Sequence, residues 1–287
     1  MLFKIVFAFL KLIARIPFWC LHLISDILYL VLYYGIQYRK KVILSNLAIA
    51  FPENSLTDNK KTAKKFMRHF ADFLSESLKG ISITDKELHK RYKYLNAALI
   101  KDEIAKDKSI ILLIGHYGNW EWLVANLGRV FGILGWAAYK PLSNPLFDKL
   151  MVANREQFGF KVIPSGKSAA ALKQFCEKGT QFINLLAADQ SPPVNYKYRT
   201  KFLGQNVPFF IGPEVYAKRY DLSVFYGRIL KKSRSNYTVE FIPITMNAAQ
   251  TDDTWITSQY IKSLEEDIKN TPDYYLWSHR RFKHAKS

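Results

Sequence analysis

From residue 109 onward, short apolar runs rich in β-forming residues alternate with stretches of helical periodicity. This alternation restricts the fold more than any other feature of the chain. The runs are SIILLIG (109–115), GILGWAAY (132–139), FKVI (160–163), QFINLLAA (181–188), LSVFYGRIL (222–230) and YTVEFIPI (237–244). Between them lie NWEWLVANLGRVF, NPLFDKLMVANREQFG and SAAALKQFCEKG, with WITSQYIKSLEEDIKN (255–270) after the last. Strand and helix in turn predict an α/β fold, a mostly parallel or mixed central sheet flanked by helices. The 287 residues allow one such domain with a core large enough to hold a site rigidly. Upstream, Ser55 with Asp58 three residues later signals a helix start and Gly80 a stop, so a long amphipathic helix is expected between them.

The first 38 residues read differently. Apolar residues continue past the length of a secretion signal and no small-residue cleavage site follows. Lys4, Lys11, Arg15, His22 and Asp26 interrupt the run. At 100° per residue they fall within roughly 60° of one another, a narrow polar stripe opposite a broad apolar face. That pattern predicts a membrane-associated helix, divided or kinked at Pro17, with Arg39, Lys40 and Lys41 near anionic headgroups on the cytoplasmic side. The expected division is a membrane segment at 1–38 and a catalytic body at 39–287.

Forty-two Lys and Arg oppose 24 Asp and Glu, a formal net charge of +18, which favours acidic partners: nucleic acid, anionic lipid or an acidic carrier protein. Basic stretches such as RYKY, KYRTK and HRRFKHAK raise the first of these. No nucleic-acid-binding module accompanies them, and the aromatic residues run through apolar segments rather than a basic sheet face, so nucleic acid is not expected as a partner. Cys20 and Cys176 are the only cysteines, too few for a disulfide framework or a cysteine zinc site. No histidine pairs with His116 at metal-ligand spacing, and neither metal nor cofactor is expected. PSGKSAA (164–170) has Lys161 where a phosphate-binding loop needs glycine. The G-x-S-x-G elbow of an esterase is also missing.

GHYGNWEW (115–122) puts His116 where the first clear strand ends and a helix begins, and ligands of open α/β sheets bind beyond that edge. Asn119 can cap the helix, placing Glu121 in its first turn. A glutamate on one ring nitrogen would leave the other free to take a proton from an alcohol. The alternative reading has His116 closing a strand and Glu121 complementing the helix dipole; the motif by itself leaves both open.

GHYGNWEW resembles the H-x-x-x-x-D/E block of glycerolipid acyltransferases. With YRKKVILSNLAIAFPE (38–53), YKPLSNPLFDKLMVANR (139–155), AADQSP (187–192), VPFFIGP (207–213) and YLWSHRRFK (275–283), nearly the whole chain resembles the bacterial lipid A late acyltransferases, the lauroyl and myristoyl transferase family. The resemblance implies transfer of a fatty acyl chain from acyl carrier protein to a hydroxyl of a lipid A precursor, at the cytoplasmic face of the inner membrane. It implies His116 as general base with Glu121 as orienting partner, substrate-binding roles for Arg155, Asp189, Asn119 and Lys140, and an acyl-chain wall from Val207, Phe209 and Phe210. Ser191 stands where many members carry a second acid after D-Q. Related transferases acting on ornithine lipids, glycan lipids or aryl polyenes share the His block, so the reaction is better specified than the acceptor.

Overall fold

A computed structural model describes residues 10–286. Seven strands form one sheet in the order β1-β9-β8-β2-β5-β3-β4. They are β1 (Tyr92–Leu95), β2 (Ile110–Ile114), β3 (Leu134–Tyr139), β4 (Lys161–Pro164), β5 (Phe182–Ala187), β8 (Ser223–Ser233) and β9 (Asn236–Thr245). From β8 to β4 every pairing is parallel. The long β8–β9 hairpin turns the last two strands over, so β9 and its parallel neighbour β1 run the other way. The fold is therefore α/β with a mixed, mostly parallel sheet, as the alternation implies. A separate hairpin, β6 (Arg199–Phe202) and β7 (Gln205–Pro208), lies outside the main sheet.

All five residues of β2 are buried, which is why it reads as an unbroken apolar run: helices cover both faces of a parallel sheet. Its side chains alternate. Ile111 and Leu113 enter the core beneath helix α10 (Trp255–Asn270), with Tyr260 and Leu264. Ile110, Leu112 and Ile114 enter the core beneath α6 (Trp120–Phe131), with Trp122, Leu123 and Leu127.

The N-terminal third is helical: α1 (Phe18–Leu30) continuing into a π-helical turn at Val31–Gly35, α2 (Lys40–Ala50), and α3 (Leu56–Gly80). Helix α3 starts as its sequence predicts, with Ser55 Oγ accepting from the Asp58 N–H at 3.1 Å. Phe18–Gly35 is long and apolar enough to cross a membrane. Pro17 immediately precedes α1 and separates it from the helical stretch ending at residue 14. Lys4 of the predicted polar stripe lies outside the described residues. Farther along that stripe, Asp26 accepts from Arg68 and Arg234, while Trp19, Leu23, Ile27 and Leu30 are exposed. The helix thus turns polar groups inward and apolar ones outward, the inverse of a helix packed on a water-soluble surface.

Candidate active site

Strand β2 ends at Ile114, in register with Ala187 at the end of the parallel strand β5. Two residues beyond each partner stand His116 and Asp189, and the equal overhang brings their side chains together. His116 Nδ1 lies 2.6 Å from Asp189 Oδ1, and the His116 N–H donates to Asp189 Oδ2 at 3.2 Å. The carboxylate accepts only, so the ring proton resides on Nδ1 and Nε2 carries the lone pair. The amide nitrogen of Gln190 is 3.2 Å from Nε2, and the Trp120 ring meets the imidazole edge-on at 5.2 Å.

Burial opposes charge on the imidazole, but Asp189 outweighs it through its charge and hydrogen bond, with Glu121 adding to the effect against Arg155; the His116 pKa is raised. Burial equally opposes charge on Asp189, and the contact with His116 prevails there too, lowering its pKa. Each partner favours the charged form of the other.

The expected contact between Glu121 and the imidazole is replaced by this one. Glu121 lies in the first turn of α6 and accepts two bonds from Arg155, Nε to Oε2 at 2.9 Å and Nη2 to Oε1 at 2.6 Å. Arg155 comes from the last turn of α7 (Pro145–Glu156). A fork-to-fork guanidinium pair engages both carboxylate oxygens, so Glu121 acts on His116 through its charge rather than by touching it. Asn119, expected among the substrate-binding residues, makes its contacts within the protein. It is fully buried, capping α6 by accepting from the Trp122 N–H at 3.1 Å and donating to Glu76 at 2.7 Å.

Two cavities meet at this edge. One of about 290 Å³ is walled by His116, Trp120, Tyr139, Lys140 and Arg155. The other, about 620 Å³, is walled on the opposite sheet face by Trp136, Leu172, Leu186, Phe210 and His279. Alternation along β3 and β5 separates them: Ala137 and Leu185 line the first, Trp136 and Leu186 the second. Tyr139, Lys140 and Gln190 border both. Of the predicted acyl-chain wall only Phe210 faces the larger cavity. Val207 and Phe209 are fully buried, Phe209 against Phe202 and Tyr260 and beneath the Arg281 guanidinium.

The C-terminal segment closes the site from above. Leu276 N donates to His116 O at 3.0 Å and Gly118 N to Tyr274 O at 3.0 Å. Ser191, at the position of the family's second acid, has a structural explanation: its N–H donates to His279 Nε2 at 3.1 Å and its hydroxyl to Arg281 O at 2.6 Å. His279 is thereby fixed as the Nδ1–H tautomer, and burial, reinforced by nearby cations and opposed by Asp189, pushes its pKa down to about 4. Gln190, Trp120 and His279 escape a sequence reading because nothing in their local pattern marks a sheet edge; adjacency to Asp189 is the one cue for Gln190. Among the described residues no set of three or more His, Cys, Asp or Glu side chains converges as metal donors would.

An imidazole with its tautomer set by a buried carboxylate, in the wall of the smaller cavity, is equipped to take a proton from a hydroxyl. The class this defines is an α/β protein with a buried histidine–carboxylate pair at the carboxyl edge of its sheet. The chain belongs to the bacterial lipid A biosynthesis acyltransferase family, whose model matches residues 1–284. It is 21% identical to the lipid A biosynthesis palmitoleoyltransferase of Escherichia coli K12 and 24% identical to that organism's lipid A biosynthesis lauroyltransferase, in each case across 85% of this chain and 79% of the relative. A lipid A biosynthesis acyltransferase of Shigella flexneri is 21% identical over the same shares. The protein is thus an acyltransferase, in agreement with the ordered motifs.

Proposed function

We propose that the protein moves a fatty acyl chain from acyl carrier protein to a hydroxyl of a lipid A precursor at the cytoplasmic face of the inner membrane. The observation that carries this reading is the His116–Asp189 pair, its imidazole in the wall of the smaller cavity beside Gln190, which borders both cavities, within a chain of this family. The acceptor hydroxyl displaces Gln190 from Nε2 and gives its proton to the imidazole as its oxygen attacks the thioester carbonyl. Asp189 holds the imidazolium that results. The tetrahedral intermediate collapses, the C–S bond breaks, and the leaving thiolate takes the proton back, yielding ester, free thiol and neutral His116. No covalent acyl-enzyme is needed, because the thioester is already activated; binding both substrates side by side supplies the orientation.

Arg155, held by Glu121, brings positive charge to the wall of the smaller cavity, where the developing oxyanion and the phosphate of a substrate both require it. Lys140 borders both cavities and serves the same substrates. The larger cavity, mostly apolar, takes the acyl chain, with Phe210 in its wall. Residues 1–38 seat the enzyme on the bilayer through the exposed face of α1, with Arg39, Lys40 and Lys41 at the headgroups, and 39–287 form the catalytic body. The basic surface steers the acidic carrier protein.

The test uses purified protein in mixed micelles with acyl-carrier-protein thioester and a disaccharide lipid precursor. Wild-type protein transfers the chain, and His116→Ala lowers the rate by roughly 10²- to 10⁴-fold while still binding the micelles. Wild-type rates from a folded His116→Ala variant would overturn the mechanism; no transfer by the wild type to any disaccharide lipid would overturn the acceptor class.

A further inference from the structure

Helix α3 lies beneath the catalytic turn, and three of its residues, one turn apart, reach that turn in succession, directly or through Tyr274. His69 packs on the ring of Tyr274, 4.8 Å between centroids, and the Tyr274 carbonyl accepts from the Gly118 N–H at 3.0 Å. Phe73 packs on Trp120, ring centroids 4.2 Å apart and planes tilted by 31°. Glu76 accepts from the side-chain amide of Asn119 at 2.7 Å, and its backbone carbonyl accepts from Trp122 Nε1 at 3.1 Å. Residues 69, 73 and 76 share one helical face, so a single rigid element sets the level of the whole stretch from Gly118 to Trp122. Gly118 has φ of +61°, and a Cβ there would come within 2.7 Å of Ile229 Cγ2, so the turn has little room to settle elsewhere.

Glu76 is the centre of this platform. Its side chain is 1% exposed and takes three donors on two oxygens: Asn119 Nδ2 and the Tyr237 hydroxyl on Oε2, and the Ser235 hydroxyl at 2.8 Å on Oε1. Burial raises its pKa, opposed first by the Lys231 charge and then by the Tyr237 and Ser235 bonds. An amide nitrogen donates only, so the contact with Asn119 needs an acceptor on Glu76, and it fixes which way the Asn119 amide faces. Asn119 Oδ1 is then left to cap α6, the helix that carries Glu121.

On its other side the platform is braced by the apolar N-terminal helix. His22 Nε2 is 2.9 Å from Ser235 Oγ, the group that donates to Glu76. Ser25 donates to Asp72 at 2.7 Å, and Arg234 ties Asp72 to Asp26. The inward polar side of α1 and the catalytic turn therefore grip opposite ends of one hydrogen-bonded chain, His22–Ser235–Glu76–Asn119.

We propose that Glu76 is a positioning residue for acyl transfer, clamping Asn119 and hence the turn from His116 to Trp120, and that the N-terminal helix braces this clamp through His22 and Ser235. The proposal rests on the reading of His116 as the base. A displacement of the base by about 1 Å costs on the order of 10²-fold in rate, which is the scale of effect expected from releasing the clamp.

Three variants and their combination test it. Glu76→Gln keeps an acceptor for Asn119 and retains kcat within about fivefold, whereas Glu76→Leu removes the acceptor and lowers kcat on the order of 10²-fold with KM for the carrier-protein thioester unchanged. Asn119→Ser keeps a helix cap but loses the amide that reaches Glu76; its kcat falls similarly, and Glu76→Leu adds no further loss on top of it. Hydrogen exchange supplies a readout that needs no substrate: amides of 116–122 exchange faster in Glu76→Leu and Asn119→Ser while those of β2 are unchanged. Additive losses, equal kcat for Glu76→Leu and wild type, or unchanged exchange at 116–122 would each overturn the clamp. If exchange responds as expected but the wild type transfers no acyl group, the clamp stands and the functional reading fails.

Discussion

Asp189 Oδ1 lies 2.6 Å from His116 Nδ1 although 73 positions separate the two residues. The contact follows from the parallel pairing of β2 and β5, whose last partners are Ile114 and Ala187. Asp189 both selects the imidazole tautomer and raises its pKa. In the proposed mechanism the imidazole must be neutral to accept a proton, so activity falls as pH drops through that raised value. Asp189→Asn removes the charge that overcomes burial, leaving burial to depress the pKa. The acid limb of kcat/KM then shifts to lower pH, while the plateau falls on the order of 10⁴-fold through loss of tautomer control. A pH–rate profile of both proteins checks the sign; a limb that stays in place or moves upward would exclude Asp189 as the imidazole's partner.

The Glu121–Arg155 pair is nearly buried, with side chains 5% and 21% exposed. Burial opposes charge on Arg155, and Glu121 overrides it to raise the guanidinium pKa. Glu121→Ala leaves a charge without its partner, so it destabilises the fold by about 2 kcal/mol, less than for a fully buried pair because Arg155 reaches solvent. Arg155→Lys loses the two-pronged contact and lowers kcat/KM by about tenfold or more. Denaturant midpoints for the first and steady-state rates for the second measure these outcomes.

Gly115 is required by close approach: a Cβ there would overlap Leu264 Cδ1 of helix α10. Gly115→Ala therefore costs about 1–3 kcal/mol. Adding Leu264→Ala to this variant opens space for the new methyl, so the double mutant is more stable than the sum of the two single effects implies. A thermal-unfolding double-mutant cycle reads this coupling.

Neighbouring phenylalanines should separate cavity from core. Phe210 lines the 620 Å³ cavity, so Phe210→Ala changes which acyl chain length is transferred fastest, with little change in melting temperature. Phe209, wholly buried, costs about 3–5 kcal/mol as alanine and leaves the chain-length preference where it was. Competition among carrier-protein thioesters of different lengths, run beside melting curves, distinguishes the two.

The six apolar runs all became strands of the main sheet, most plainly β2, which is buried along its whole length and must therefore be apolar throughout. YKYL at β1 and RTKF and QNVP of the small hairpin escaped: they are short, polar and partly exposed, so their pairing leaves no periodic trace. RYKY, read as a basic cluster, instead contains the start of β1, with Tyr92 wholly buried in the core. The direction of β9 was likewise illegible, since alternation along a strand is the same whichever way its neighbour runs.

Sequence alone determined the α/β alternation, the helix start at Ser55, the inverted amphipathicity of the N-terminal helix, the family and the place of His116 at a strand end, because each is written in local periodicity or contiguous motifs. Tertiary structure decided which carboxylate meets the imidazole. Glu121 is five positions from His116 and Asp189 is 73 away, yet equal overhang from two parallel strands brings Asp189 to Nδ1, while helix α6 turns Glu121 toward Arg155. Strand register and helix direction are properties of the packed chain, and they alone select the imidazole's partner, the bond from Glu76 to Asn119 and the phenylalanine that faces the cavity.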